Sequence, residues 1–139
     1  MTVAFYCYSV AALLALAVGV LYLLRREFMP YHATAAGAAW SALAPGLRVL
    51  ILALIRAVGG GFLALGIALS VLLLGPFRDG DRWAQWAIPV IGFAAALPTL
   101  LGVHLIRTRT PARPPWALAA LSVGGLIGGV VATVAAYVF

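Results

Sequence analysis

Four apolar runs divide the chain: roughly Val3 to Leu24, Leu47 to Leu74, Trp83 to Ile106 and Trp116 to Val138. A helix of about 20 residues crosses a hydrocarbon layer about 30 Å thick, and each run reaches that length. Runs this long without alternation do not suit barrel strands of about ten residues. The pattern predicts an all-α polytopic membrane protein, a single antiparallel four-transmembrane-helix bundle over residues 1–139. The second run is long enough to tilt or to project.

Polar and turn-forming residues mark the boundaries. Arg25 and Arg26 stop the first run, and Gly75-Pro76 closes the second. Asp79 and Gly80 suit a turn, with Asp81 as N-cap of the third helix. Arg107 ends that helix, and Pro111, Pro114 and Pro115 prevent its continuation. Trp83, Trp86, Trp116, Tyr22, Tyr31, Tyr137 and Phe139 fall near the run ends, where amphipathic rings favour a membrane interface. Between the first two runs, Glu27 to Gly46 is too polar and interrupted for a fifth span. Ala33 to Leu43 is expected to form a short interfacial helix anchored by Trp40, started by Pro30 and ended by Pro45.

Composition supports a membrane class. The chain is 65% hydrophobic and only 9% charged, against about 25% charged in a soluble domain. Its nine basic residues are all arginine, set against Glu27, Asp79 and Asp81. They sit in short connections, not on one solvated face, so nucleic acid is not an expected partner. The first and third connections hold Arg25, Arg26, Arg48, Arg107, Arg109 and Arg113, and the second holds Arg78 and Arg82. That asymmetry predicts a multi-pass inner-membrane protein with those two connections cytoplasmic and both termini periplasmic or extracellular. The N-terminal run has no basic leader, so it reads as a retained helix. Cys7, the single cysteine, reads as a small apolar side chain.

Helices in lipid associate through small residues. Gly59, Gly60 and Gly61 in the second run, and Gly124 and Gly128 within the stripe Ala120 to Ala136, are the expected packing positions. Ala11, Ala15, Gly19, Gly66, Gly125 and Gly129 extend these surfaces. The Gly124/Gly128 face alternatively suits a homo-oligomer. Pro89 and Pro98 are expected to kink the third span.

Arg56 stands about two turns inside the second run with no acid nearby. A guanidinium at that depth costs roughly 3 kcal/mol on insertion scales, which marks it as a candidate functional residue. His104, Arg48, His32, Glu27 and Trp40 fall on the same predicted side. An inward cluster of these would bind an anionic group, since a guanidinium fork pairs two oxygens at once. His32 and His104 also suit haem or quinone ligation, and Arg56 alternatively snorkels or caps carbonyls freed by Pro98. No metal motif, nucleophile turn, phosphate loop or intramembrane carboxylate occurs.

The stretch Leu54 to Gly66, LIRAVGGGFLALG, carries the pattern R-x-x-G-x-x-F/L-L-x-x-G. It resembles the first-helix signature of small DoxX-like bacterial membrane proteins, here in the second span and over about a dozen residues. The resemblance implies a four-helix protein of similar length, in a family with some members associated with quinone-linked sulfur oxidation. Arg56 and the glycines carry over as a structural signature. The functional expectation is a non-enzymatic protein binding membrane lipids or an anionic amphipathic ligand, or serving a larger membrane complex. A redox subunit handling quinone or haem and a small oligomeric transporter are the alternatives.

Overall fold

A computed structural model describes residues 1–138, which leaves the expected interfacial Phe139 outside the described residues. Five α-helices make up the fold: α1 (Thr2–Leu24), α2 (Pro30–Ala36), α3 (Pro45–Leu72), α4 (Arg82–Arg109) and α5 (Trp116–Val138). All four apolar runs form helices long and apolar enough to cross a membrane. α3 opens at Pro45, whose missing N–H is no loss in a first turn, and passes into a π-turn at Leu73–Phe77. α4 runs unbroken through Pro89 and Pro98.

Two connections differ in detail from expectation. α2 starts at Pro30 as expected but ends at Ala36, because Gly37 adopts the left-handed conformation (φ 65°) that stops a helix. The remainder is a 3-10 turn, Trp40–Ala42. The expected single helix Ala33 to Leu43 is therefore two shorter pieces. Asp81 does occupy the N-cap of α4, but its side chain makes no cap bond. Its Oδ2 instead accepts from the Trp83 indole N–H at 3.2 Å.

α1 is the central element, packed along both α3 and α5, while α4 packs mainly on α5. Glycine makes these contacts close. Cβ atoms built at Gly19 and Gly66 would meet the Leu63 backbone at 2.5 Å and the Leu16 backbone at 2.7 Å. At Gly125 one would meet the Cys7 carbonyl at 2.8 Å, and at Gly129 one would overlap the Tyr8 ring. Of the expected packing positions, Gly59 meets Tyr22 and Leu23, and Gly128 sits beside Cys7. Gly60, Gly61 and Gly124 face open space. The contact face of α5 is thus turned one residue, about 100°, from the expected stripe. Gly92, which packs against Leu126, was not foreseen.

The core lies toward the end of the bundle that holds residues 77–85. Tyr8, Leu69, Leu73, Phe77, Ile88 and Leu126 are buried there. Tyr8 bonds the Thr133 hydroxyl at 3.4 Å, and Tyr137 donates to the Gln85 side chain. The outer faces are apolar: Leu13, Val49, Leu101 and Val131 are each more than 60% exposed.

Close glycine contacts predict opposite outcomes for one substitution. Gly19→Ala and Gly129→Ala should each destabilise the detergent-solubilised protein by about 1–3 kcal/mol through overpacking. Gly60→Ala and Gly124→Ala should be neutral or stabilising by up to about 1 kcal/mol. Thermal unfolding of the four variants separates the two pairs.

Candidate functional site

A cavity of about 580 Å³ is lined by all four long helices. Ala11, Leu14, Ala15, Val18, Leu21 and Tyr22 line it from one face of α1. α3 contributes Phe62, Leu65 and Leu69, and α5 contributes Leu118, Ala119, Ser122 and Leu126. From α4 come Gly92, Ala95, Ala96, Thr99 and Val103. Gly92 to Val103 spans about 16 Å of helix. Glycine, alanine or serine at seven of these positions leaves the volume unfilled.

The cavity is apolar at its Leu69, Gly92 and Leu126 end and polar at the other. At the polar end stand Tyr22, Tyr31, Met29, Pro30 and Arg113. The two phenol oxygens are bonded at 2.8 Å. Burial, reinforced by that bond, holds the Tyr31 phenol above its ordinary pKa, so it stays a neutral hydroxyl. Arg113 projects from the proline-flanked loop before α5. Among the described residues lining the cavity there is no carboxylate, imidazole or thiol. The polar groups present are hydroxyls and one guanidinium, which bind and orient a ligand by hydrogen bonding.

α2 lies at this mouth. Phe28 and Met29, just before it, are buried, and Phe28 packs edge-on against Trp40 at 5.0 Å. His32 stacks near Tyr31 at 4.2 Å, and its Nδ1 accepts from the Met29 amide at 3.3 Å. That bond requires Nδ1 to be unprotonated. Burial lowers the His32 pKa in the same direction.

The expected inward cluster does not assemble. Arg56, His104 and Glu27 are exposed and none lines the cavity. Helical phase is the reason. Ile55 and Gly59 turn toward the bundle, so Arg56, one residue on, is rotated about 100° outward. Val103 lines the cavity, which turns His104 away in the same manner. Arg48 is engaged in backbone bonds, its Nε donating to the Leu43 carbonyl at 2.8 Å and a terminal nitrogen to that of Ser41 at 2.7 Å. It pins the 3-10 turn to α3. Trp40 and His32 hold the segment beside the mouth without lining the cavity. Among the described residues no three His, Cys, Asp or Glu side chains come together in a metal-binding group.

Arg113 and the Tyr22–Tyr31 pair were not singled out from the sequence as ligand-facing groups. Arg113 is distinguished only by the nearby prolines, Pro111, Pro114 and Pro115, which stiffen the backbone that carries it. No family model matches the chain, and neither a curated protein nor a solved structure shows significant similarity to it.

His32 gives the mouth a pH dependence. With its folded pKa below the ordinary 6.5, both docked and undocked states are neutral above that value. As pH falls through it, the undocked segment takes the proton first, and docking weakens. The protection of the amides of residues 31–36, taken relative to the intrinsic exchange rate at each pH, should therefore fall between pH 7.5 and 5.5. His32→Gln should remove most of that pH-dependent difference.

Proposed function

We propose that this chain is an integral membrane protein, an antiparallel bundle of four transmembrane helices that binds a lipid-like anionic amphiphile. The observation that carries the reading is the cavity's polarity. An apolar chamber of about 580 Å³ falls within the roughly 300–1,000 Å³ range of ligand sites. It ends in two phenols and a guanidinium. An apolar tail suits the chamber, and an anionic head suits Arg113. The antiparallel arrangement is supported by contact pairs whose numbers run in opposition. Gly19 meets Leu63 while Gly66 meets Leu16, and Gly125 meets Val10 while Gly128 meets Cys7. The exposed apolar faces suit hydrocarbon.

Orientation supports the same ligand class. The cavity mouth shares its end of the bundle with Arg25, Arg26, Arg48, Arg107, Arg109 and Arg113, the end that arginine bias places in the cytoplasm. A depth of about 16 Å is about half of a 30 Å hydrocarbon core. The chamber therefore matches one leaflet, and a lipid of the cytoplasmic leaflet reaches it without crossing the membrane.

Two measurements test this. Reporter fusions at Asp79 and Arg109 should report opposite sides of the membrane, with Arg109 cytoplasmic; matching signals would remove the four-span topology. Mass spectrometry of organic extracts should find an anionic lipid retained by the purified protein. Arg113→Gln and the cavity-filling Ala119→Phe should each cut its amount severalfold, whereas Arg56→Gln should not. Retention lost through Arg56→Gln but unchanged in Ala119→Phe would place the ligand outside this cavity.

A further inference from the structure

The loop between α4 and α5 forms a second concavity, of about 490 Å³, bordered by Arg107, Thr110, Pro111, Ala112, Arg113 and Pro114. Arg113 borders both this concavity and the apolar chamber. The two spaces thus share Arg113, and a second arginine, Arg107, borders the loop concavity. The Arg107 guanidinium carbon sits 5.6 Å from the centre of the Trp116 ring. Stacking uses the face of a guanidinium, while oxygen ligands bind its N–H edge.

The loop is built to hold this pair. Thr110 Oγ1 donates to the Ile106 carbonyl at 2.7 Å and accepts from the Ala112 amide at 3.2 Å. Ala112 and Pro114 are buried, and Pro111, Pro114 and Pro115 fix three φ angles. The backbone is therefore arranged before any ligand arrives, which reduces the entropy cost of binding. The local charge is unbalanced. No acid follows Asp81 in the chain, and Glu27, the one acid at this end, is exposed.

Resting on the amphiphile reading above, we infer that the head group is a phosphate monoester, held between Arg107 and Arg113. A carboxylate carries one charge and two oxygens, which a single guanidinium fork satisfies. A phosphate monoester carries nearly two charges and three terminal oxygens. Two forks match both its charge and its oxygen count. Its ester oxygen leads to the apolar part, which Arg113 places at the chamber. The Tyr22–Tyr31 pair stands at the same rim, and the one phenol proton that their mutual bond leaves free suits the linkage between head and tail.

The full-length protein in detergent, at pH 8, tests this by native mass spectrometry with five probes. These are dioleoyl phosphatidic acid, dioleoyl phosphatidylglycerol, dioleoyl phosphatidylcholine, oleate and glycerol 3-phosphate. Phosphatidic acid should bind about tenfold or more tightly than phosphatidylcholine or oleate, with phosphatidylglycerol between them. Arg107→Gln and Arg113→Gln should each erase most of that preference, weakening phosphatidic acid binding severalfold more than phosphatidylcholine binding. Arg109→Gln, outside both concavities, should leave the order intact. Equal binding of phosphatidic acid and phosphatidylcholine, indifferent to Arg107 and Arg113 but weakened by Ala119→Phe, would overturn the head-group inference and spare the cavity. Phosphatidic acid binding that survives Ala119→Phe, matched by glycerol 3-phosphate, would keep the phosphate grip and overturn the amphiphile reading. Binding of none of the five would overturn both.

Discussion

The glycine contacts of α1 set the rotational phase of its neighbours, and the site follows from those phases. Helices surrounded by hydrocarbon gain little from hiding apolar surface against one another, so close van der Waals approach decides how they pair. At Gly19, Gly66, Gly125 and Gly129 a methyl group would meet backbone or ring atoms of the adjoining helix. Rotating α3 away from the Gly59–Gly66 face would lose that approach. With α3 held in this phase, Phe62, Leu65 and Leu69 face the interior and Arg56 faces out.

The cavity occupies one end of the bundle because the two ends are closed by different means. At the end of Gly80, a tight turn joins α3 to α4, and Gly80 supplies the left-handed residue (φ 86°) that the turn needs. Phe77 packs there against Phe5 and Tyr8, with ring centres 6.4 and 5.8 Å apart, and Tyr137 bonds Gln85. At the opposite end α4 and α5 present small side chains to the cavity. Their inward positions carry Ala95, Ala96, Ala119 and Ser122. The chain closes that end from outside, with α2 and Phe28-Met29 laid against the mouth and Arg48 holding the following turn. Large side chains at one end and small ones at the other therefore make a vessel with a floor and a rim.

Hydropathy was enough to locate α1, α3, α4 and α5 to within about three residues, because a span must be long, apolar and bounded by charge. It carried almost no information on which way each helix faces. These helices are apolar all round, so no polar stripe marks an outer surface, and in lipid none is needed. The glycines show the consequence. Both Gly124/Gly128 and Gly125/Gly129 fit small-residue packing by spacing, but only in the second pair do both glycines meet α1; of the first pair Gly128 touches Cys7 and Gly124 faces open space. The segment from Glu27 to Gly46 was legible as non-spanning, and Pro30 marked its helix start. The stop at Gly37 depended on a backbone angle that a glycine permits but does not require. Arg113 was hidden in a different way. It belonged to a group of three arginines already accounted for by topology.

On the amphiphile reading proposed above, the difference between Arg56 and Arg113 reflects what burial does to a binding cation. Depth along the chain made Arg56 conspicuous, because a guanidinium in hydrocarbon is costly. That cost does not recruit a ligand by itself. On an outward face the long side chain can snorkel toward the interface. A cation that is to hold an exchangeable anion has a different requirement. It must stay hydrated when empty and lose water only as the anion replaces it, or the empty state would bear a desolvation penalty. Arg113 meets that requirement, exposed on a stiff loop yet bordering the apolar chamber. Attraction at such a rim grows when an apolar tail displaces water from the chamber, since the local dielectric falls as the ion pair forms. Tail and head then reinforce each other. For an amphiphile, the rim of an apolar vessel is a better place for the arginine than its depth.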